Sequence, residues 1–212
     1  MHGLCSGLYG RCNQEKMKNI TNILMAGVGG QGVILASEIV AEVMMHAGFD
    51  VKKSEIHGMA QRGGMVNSHI RFGSKVYSPV IKKGEVDILF SFEQLETLRF
   101  LDYLAADPVI LLTRQKVLPP SVTAGHEIYP SHVPEWLSER YPRVKLIDCL
   151  GIAYKAGHMK ALNVVFLGAL SKHFDIDARL WENIISLFVP PDYLDVNLKA
   201  FSMGRSAVTG DQ

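Results

Sequence analysis

Two glycine-rich segments carry the residues of this chain that could do chemistry. The first is Gly27-Val28-Gly29-Gly30-Gln31-Gly32, a literal G-x-G-x-x-G directly behind the apolar run Asn22–Ala26. Glycines at that spacing permit a tight turn and close backbone approach, and a helix beginning there offers unpaired N–H groups to an anion. Glu55 stands about 20 residues past the last glycine, where a ribose-binding acid belongs in a dinucleotide fold. The second segment, Ser54–Gly73, sets His57, Gln61, Arg62, His69 and Arg71 among Gly58, Gly63, Gly64 and Gly73. Backbone N–H groups and arginines suit a phosphate or carboxylate, and Arg62 could grip either with two prongs. Plain readings stand beside these: glycines that only turn and pack the chain, and Arg62 as the ion-pair partner of Glu55. The plain reading is preferred for each residue singly, an anion or partner site for the cluster.

His57 and His69 titrate near neutrality and could do acid–base work, with Glu55 as an orienting partner; His57 is the one catalytic candidate. No Ser/His/Asp or Cys/His arrangement follows from spacing, and His126, His132, His158 and His173 form no ligand-spaced set for zinc. Three cysteines, Cys5, Cys12 and Cys149, make no C-x-x-C and are odd in number. That excludes a disulfide framework, and an iron–sulfur cluster held by this chain alone would need four thiolates.

Alternating strand and helix patterns must position the glycine segments. The patterning predicts strands at Asn22–Ala26, Phe49–Glu55, Met65–Phe72, Val86–Phe92, Val109–Thr113 and Val144–Asp148. Met65–Phe72 alternates, with Asn67, His69 and Arg71 on a solvent side, and returns through Gly73-Ser74 to Lys75–Val80 as a hairpin. Helices are predicted at Gln31–Ala47, Gln94–Leu104, Glu135–Tyr141, Ile152–Gly157, Lys160–Phe174, Asp177–Leu187 and Tyr193–Met203. Gln115–Pro130 reads as loop with a short strand at His126–Tyr129. The fold class is therefore α/β: three layers, a mainly parallel twisted sheet with helices on both faces, an antiparallel hairpin and extra C-terminal helices. Both glycine loops then leave the carboxyl ends of neighbouring strands and share one crevice. The C-terminal helices have little sheet left to cover and are expected in part to pack on another subunit.

The chain has 212 residues, 48% hydrophobic and 20% charged, with 22 Lys+Arg against 21 Asp+Glu and a net charge of +1. This describes one domain, residues 17–212, behind a polar, unpatterned extension at residues 1–16. The charge balance speaks against a nucleic-acid surface. The longest apolar run, Ala161–Leu170, is interrupted by Asn163 and falls short of the roughly 20 residues of a membrane span. With no secretion signal, a cytoplasmic location is expected.

Together, NILMAGVGGQGV and SEIHGMAQRGGMVNSHIRFG resemble the gamma-type domain of the 2-oxoacid:ferredoxin oxidoreductases, over about Ile20 to Ala200. The acid-and-arginine helix Glu93–Arg99 and the Asn163–Leu170 segment support the resemblance. Family members acting on pyruvate or 2-oxoglutarate carry Gly-Pro-Glu before the Arg-Gly of the second loop. Here His57-Gly58-Met59-Ala60-Gln61 replaces it, as in the indolepyruvate branch. The resemblance implies a role in oxidative decarboxylation of a 2-oxoacid, with indolepyruvate or another arylpyruvate as substrate and coenzyme A as co-substrate. It implies thiamine pyrophosphate, Mg and 4Fe-4S clusters on a larger partner subunit, a heterotetramer, and ferredoxin as the indirect electron acceptor. This chain has no Gly-Asp-Gly with a downstream Asn and no cysteine cluster, so it should bind no cofactor of its own and be inactive alone. By the resemblance, Gly27, Gly29, Gly30, Gln31, Gly32, Glu55, His57, Gly58, Gln61, Arg62, Gly63 and Gly64 would face the thiamine, coenzyme A or the large subunit. Isolated, the chain would tend to form a homodimer through apolar surface left uncovered. Two other readings remain: a freestanding NAD(P)- or FAD-binding oxidoreductase, and a nucleotide-responsive binding module.

Overall fold

A computed structural model describes residues 20–58 and 64–209. The extension at residues 1–16, with Cys5 and Cys12, lies outside them. Strands β1 (Ile20–Val28), β2 (Asp50–His57), β3 (Met65–Gly73), β4 (Val86–Ser91), β5 (Leu104–Thr113) and β6 (Val144–Ile147) form one sheet in the order β2-β3-β1-β4-β5-β6. β1, β4, β5 and β6 pair in parallel, while β3 runs antiparallel to β1 and β2 on either side of it. The described helices are α1 (Val33–His46), α2 (Gln94–Arg99), α3 (Pro120–Thr123), α4 (Val133–Arg140), α5 (Cys149–Ala156), α6 (Leu162–Ser171), α7 (Ala178–Phe188) and α8 (Leu194–Thr209). This is the expected three-layer α/β architecture with a mixed, mostly parallel sheet.

Strands covered on both faces must be apolar on both, and β1 is. Its Ile23 and Met25 join Ile88, Phe90, Val109 and Leu111 under α1, α5, α6, α7 and α8. Its Leu24 and Ala26 join Leu89, Ile110 and Leu112 under α4 and the turn that follows α2. The connection after β1 thus covers one face and the connection after β4 the other. The crevice between those two strands, at their carboxyl ends, is where open α/β sheets bind ligands.

In α1, Val33, Ala36, Val40, Val43 and Met44 recur at helical spacing and are buried. Gly48 (φ 92°) ends the helix, donating to Met45 O at 3.0 Å. From Asn163 to Ser171, α6 is buried all round, the pattern of a core helix rather than a surface one. It crosses α8 backbone to backbone, with Gly168 against Phe201 O and Gly204 against Val165 O. The C-terminal helices thus bury a helix of their own chain, α6.

Other expectations change as well. The antiparallel hairpin is β2–β3, and no strand forms at Lys75–Val80. β3 is not half-exposed, because the 74–85 segment folds over its polar side. His69, 4% exposed, accepts the Ile81 N–H on Nδ1 at 3.0 Å. Arg71 donates to Asn22 Oδ1 at 2.8 Å and to the carbonyls of Ser78 and Val80. The helix starting at Gln94 stops at Arg99, and β5 begins five residues before Val109, at Leu104. A single turn, α3, stands in the 115–130 segment in place of a strand at His126–Tyr129.

Candidate functional site

The two glycine loops meet. β1 and β2 both run antiparallel to β3, so both end at the same edge of the sheet, with β3 between them. There the Gly29 N–H donates to Gly64 O at 2.9 Å, and the Gly58 N–H donates to Met65 O at 2.9 Å. Two loops that start far apart in sequence are thereby tied into one surface. His57 ends β2 opposite Val66; its side chain, and Gln61, Arg62 and Gly63, lie outside the described residues.

Within the first loop each residue has a distinct part. A Cβ on Gly27 would stand 2.8 Å from Val33 Cγ2 and 2.9 Å from Phe92 Cβ, so this glycine allows the loop to sit tight on β4. Gly30 has φ 99° and nothing within 4 Å of where its Cβ would be: the backbone here faces open space. Gly32 (φ 80°) is the N-cap of α1 and supplies no capping side chain, so the first-turn N–H groups of that helix are available to a ligand. The Gln31 side chain braces the turn. Its Oε1 accepts the Val28 N–H at 2.8 Å, and its Nε2 donates to Phe92 O at 3.0 Å and to Gln115 Oε1 at 3.1 Å.

Beside the loop opens a cleft of about 510 Å³, floored by Gly30 and Gln31 and walled by residues 114–117, residues 148–150 and Leu162. Arg114 and Lys116 give it positive charge at the carboxyl end of β5. The N-termini of α1 and α6, neither of whose N-cap residues caps with a side chain, border the cleft, through Gly30–Gln31 and Leu162. Asp148 is spent at the start of α5, where its Oδ1 accepts the Gly151 N–H at 3.0 Å. Cys149 is buried next to it, and burial pushes its thiol well above the usual range, so it is no nucleophile.

A buried carboxylate holds the cationic wall in place. Glu93, 1% exposed, N-caps α2 by accepting the Glu96 N–H at 3.0 Å on Oε2. Its Oε1 accepts the Val117 N–H at 3.1 Å and the Tyr129 hydroxyl at 2.5 Å. Tyr129 OH in turn accepts the Leu95 N–H at 3.2 Å, and burial together with Glu93 raises the Tyr129 phenol above its ordinary value. Both ends of the 117–129 strap are thus pinned to one side chain. Sequence pointed to Glu93 and Arg99 but not to Arg114, Gln115, Lys116 or Tyr129. The available signal was position: Arg114 directly follows the buried strand ending at Thr113, at the sheet edge where ligands bind.

Glu55 does not line this cleft. β3 separates its strand from β1, so two inter-strand spacings, about 10 Å, lie between them. Glu55 pairs with Lys53 at 2.6 Å, and Lys53 also bonds Glu38. The parallel strand next to β1 is β4, whose acid, Asp87, accepts the Asn22 N–H at 3.1 Å near the opposite end of the two strands, so the placement on which the freestanding NAD(P)- or FAD-binding reading rested is not met by Glu55. His69 and Arg71, six positions or so along β3 from the loop, belong to the packing described above. Among the described residues no three His, Cys, Asp or Glu side chains converge as metal ligands, and no helix is long and apolar enough to cross a membrane.

The chain belongs to the pyruvate ferredoxin/flavodoxin oxidoreductase family, whose match spans residues 22–207. Within it, the indolepyruvate oxidoreductase subunit IorB of Archaeoglobus fulgidus is 39% identical over 89% of this chain and 96% of that relative. Among solved structures, the gamma subunit of a keto/oxoacid ferredoxin oxidoreductase from Geobacter sulfurreducens matches with TM-score 0.67 and 23% identity over 90% of this chain and 99% of its own. A 2-oxoglutarate:ferredoxin oxidoreductase from Magnetococcus marinus, solved with 2-oxoglutarate, coenzyme A and succinyl-CoA, matches with TM-score 0.71 and 21% identity over 92% of this chain and 32% of that longer one. These two share the fold.

Proposed function

We infer that this chain is the small, non-thiamine-binding subunit of an indolepyruvate or arylpyruvate:ferredoxin oxidoreductase. The whole enzyme would convert a 2-oxoacid and coenzyme A to acyl-CoA and CO2, passing two electrons to ferredoxin. Thiamine pyrophosphate with its Mg, and 4Fe-4S clusters, would reside on the large subunit, where the thiamine supplies the carbanion chemistry of decarboxylation. The part of this chain is to close the site and hold the phosphates of coenzyme A. Gly30 leaves room for them, Arg114 and Lys116 supply charge, and the α1 N-terminus supplies N–H donors. Ile34, Val117, Leu118 and Leu150 stand exposed around the cleft, apolar surface that the large subunit would cover.

The observation that carries this reading is the cationic cleft beside Gly30, in a chain akin to IorB along nearly its full length. Exchanging Arg114 and Lys116 for Ala in the assembled enzyme should raise the KM for coenzyme A about tenfold or more and leave the KM for the arylpyruvate unchanged. Equal effects on both substrates, or on neither, would remove coenzyme A from this cleft.

A further inference from the structure

The two edges of the sheet are unlike. β6 is a strand of four residues, short as exposed edges usually are. β2 has eight, in unbroken register with β3 and without proline or bulge, and no described strand pairs with its outer side. The Gly58 N–H donates to Met65 O at 2.9 Å, in line with that register. Antiparallel ladders alternate, so the even-numbered residues of β2 bond β3, while Val51, Lys53 and Glu55 turn their N–H and C=O outward. Exposed apolar side chains flank this edge on both faces of the sheet. Ile56, 47% exposed, is on the strand itself, and Met45, 46% exposed, stands two turns along α1 from the Glu38 that bonds Lys53.

We propose that β2 pairs antiparallel with β2 of a second copy of this chain, Ser54 opposite its own counterpart, so that one sheet runs through both copies. In such an isologous pair the two-fold axis passes between one residue and its counterpart. The charges choose that residue. An axis at Lys52, Lys53 or Glu55 sets a charge against its own kind, and an axis at Val51, Ile56 or beyond pairs only the strand ends. The axis at Ser54 pairs Val51 through His57 and sets Lys53 of each copy opposite Glu55 of the other. Lys52 then lies opposite Ile56, and its alkyl stem covers that side chain. Asp50 of the second copy comes opposite Gly58, where the second glycine loop begins, so each copy borders the loop of the other. Lysines guard many edges against pairing; here they reject every long register but one. The edge lies across the sheet from β5, where Arg114 and Lys116 follow, so the cleft stays open to the large subunit. The pairing therefore stands whether or not coenzyme A binds in the cleft.

Sedimentation of the full chain should show a concentration-dependent dimer. Lys53→Glu and Glu55→Lys should each raise its Kd about tenfold or more, because both symmetry-related contacts become repulsive, and an equimolar mixture of the two variants should restore it. Disulfides read the register, in a Cys5→Ser/Cys12→Ser background where the remaining Cys149 is buried. Ser54 and its counterpart form a non-hydrogen-bonded pair with Cα atoms about 4.5 Å apart, within disulfide reach. Ser54→Cys should therefore cross-link to itself under mild oxidation, and it keeps the test valid if a charge reversal unfolds the chain. Lys52→Cys and Ile56→Cys should each stay uncross-linked alone and cross-link when mixed. Three results would each overturn the proposal: a monomer at every concentration, a dimer whose Kd neither charge reversal changes, or a dimer in which Ser54→Cys fails to cross-link.

Discussion

The crossing of α6 and α8 sets the position of the helix whose first residue, Leu162, lines the cleft, and Gly204→Ala probes it directly. A Cβ on Gly204 would lie 1.9 Å from Val165 O, whereas ordinary contact begins at 3.4 Å, so the helices must part by about 1.5 Å. The obstacle is backbone, which cannot rotate aside. Overpacking of a core costs about 1–3 kcal/mol where side chains can yield, and here they cannot, so about 4 kcal/mol is the starting figure. Replacing a helix-interior glycine by alanine returns about 1 kcal/mol. The net loss of about 3 kcal/mol corresponds to a fall in Tm of about 6–12 °C for a domain of this size. Gly48→Ala is the control: φ there is 92° with open space around it, so only backbone strain of about 1 kcal/mol is expected. Thermal unfolding followed by circular dichroism reads both. If Gly204→Ala melts no lower than Gly48→Ala, the backbone contact does not exist as described.

Three further outcomes are expected. Tyr129→Phe removes a buried hydrogen bond to the Glu93 carboxylate and should cost about 2 kcal/mol, measured by urea unfolding, with faster proteolysis between Val117 and Tyr129. Gln31→Leu breaks three hydrogen bonds at the loop and should cost about 2–3 kcal/mol and weaken coenzyme A binding in the assembled enzyme. His69 is held below its usual value of 6.5, first by burial and then by Arg71, so the unfolded chain takes up a proton that the folded chain refuses. Stability should therefore fall as pH drops through 6.5. His69→Asn should flatten that slope between pH 7 and 5; His173, lowered by burial in the same sense, leaves a residual slope.

How much of this was legible in the sequence depended on whether the controlling contacts are local. The Gly27–Gly32 turn, the buried strand before it and α1 behind it follow from glycine spacing and apolar periodicity, both short-range. The β2–β3 pair was not legible. His69 and Arg71 look like a wetted face because their partners, the Ile81 N–H and the Ser78 and Val80 carbonyls, come from a connector whose course polarity does not reveal. The same holds for α6. Its uniform apolarity signals burial, but only the Gly168–Phe201 and Gly204–Val165 contacts show that α8 is what covers it. In the site, the glycines were read from sequence, while Arg114 and Lys116 were missed because they follow an ordinary buried strand. Glu55 had the right spacing for ribose and the wrong neighbour, since an antiparallel strand intervenes.

The most direct measurement is arylpyruvate-dependent reduction of ferredoxin by this chain co-purified with its large subunit, each subunit being omitted in turn. The pair should form acyl-CoA and reduce ferredoxin, and this chain alone should do neither. Turnover by this chain alone, or full turnover by the large subunit without it, would contradict the account.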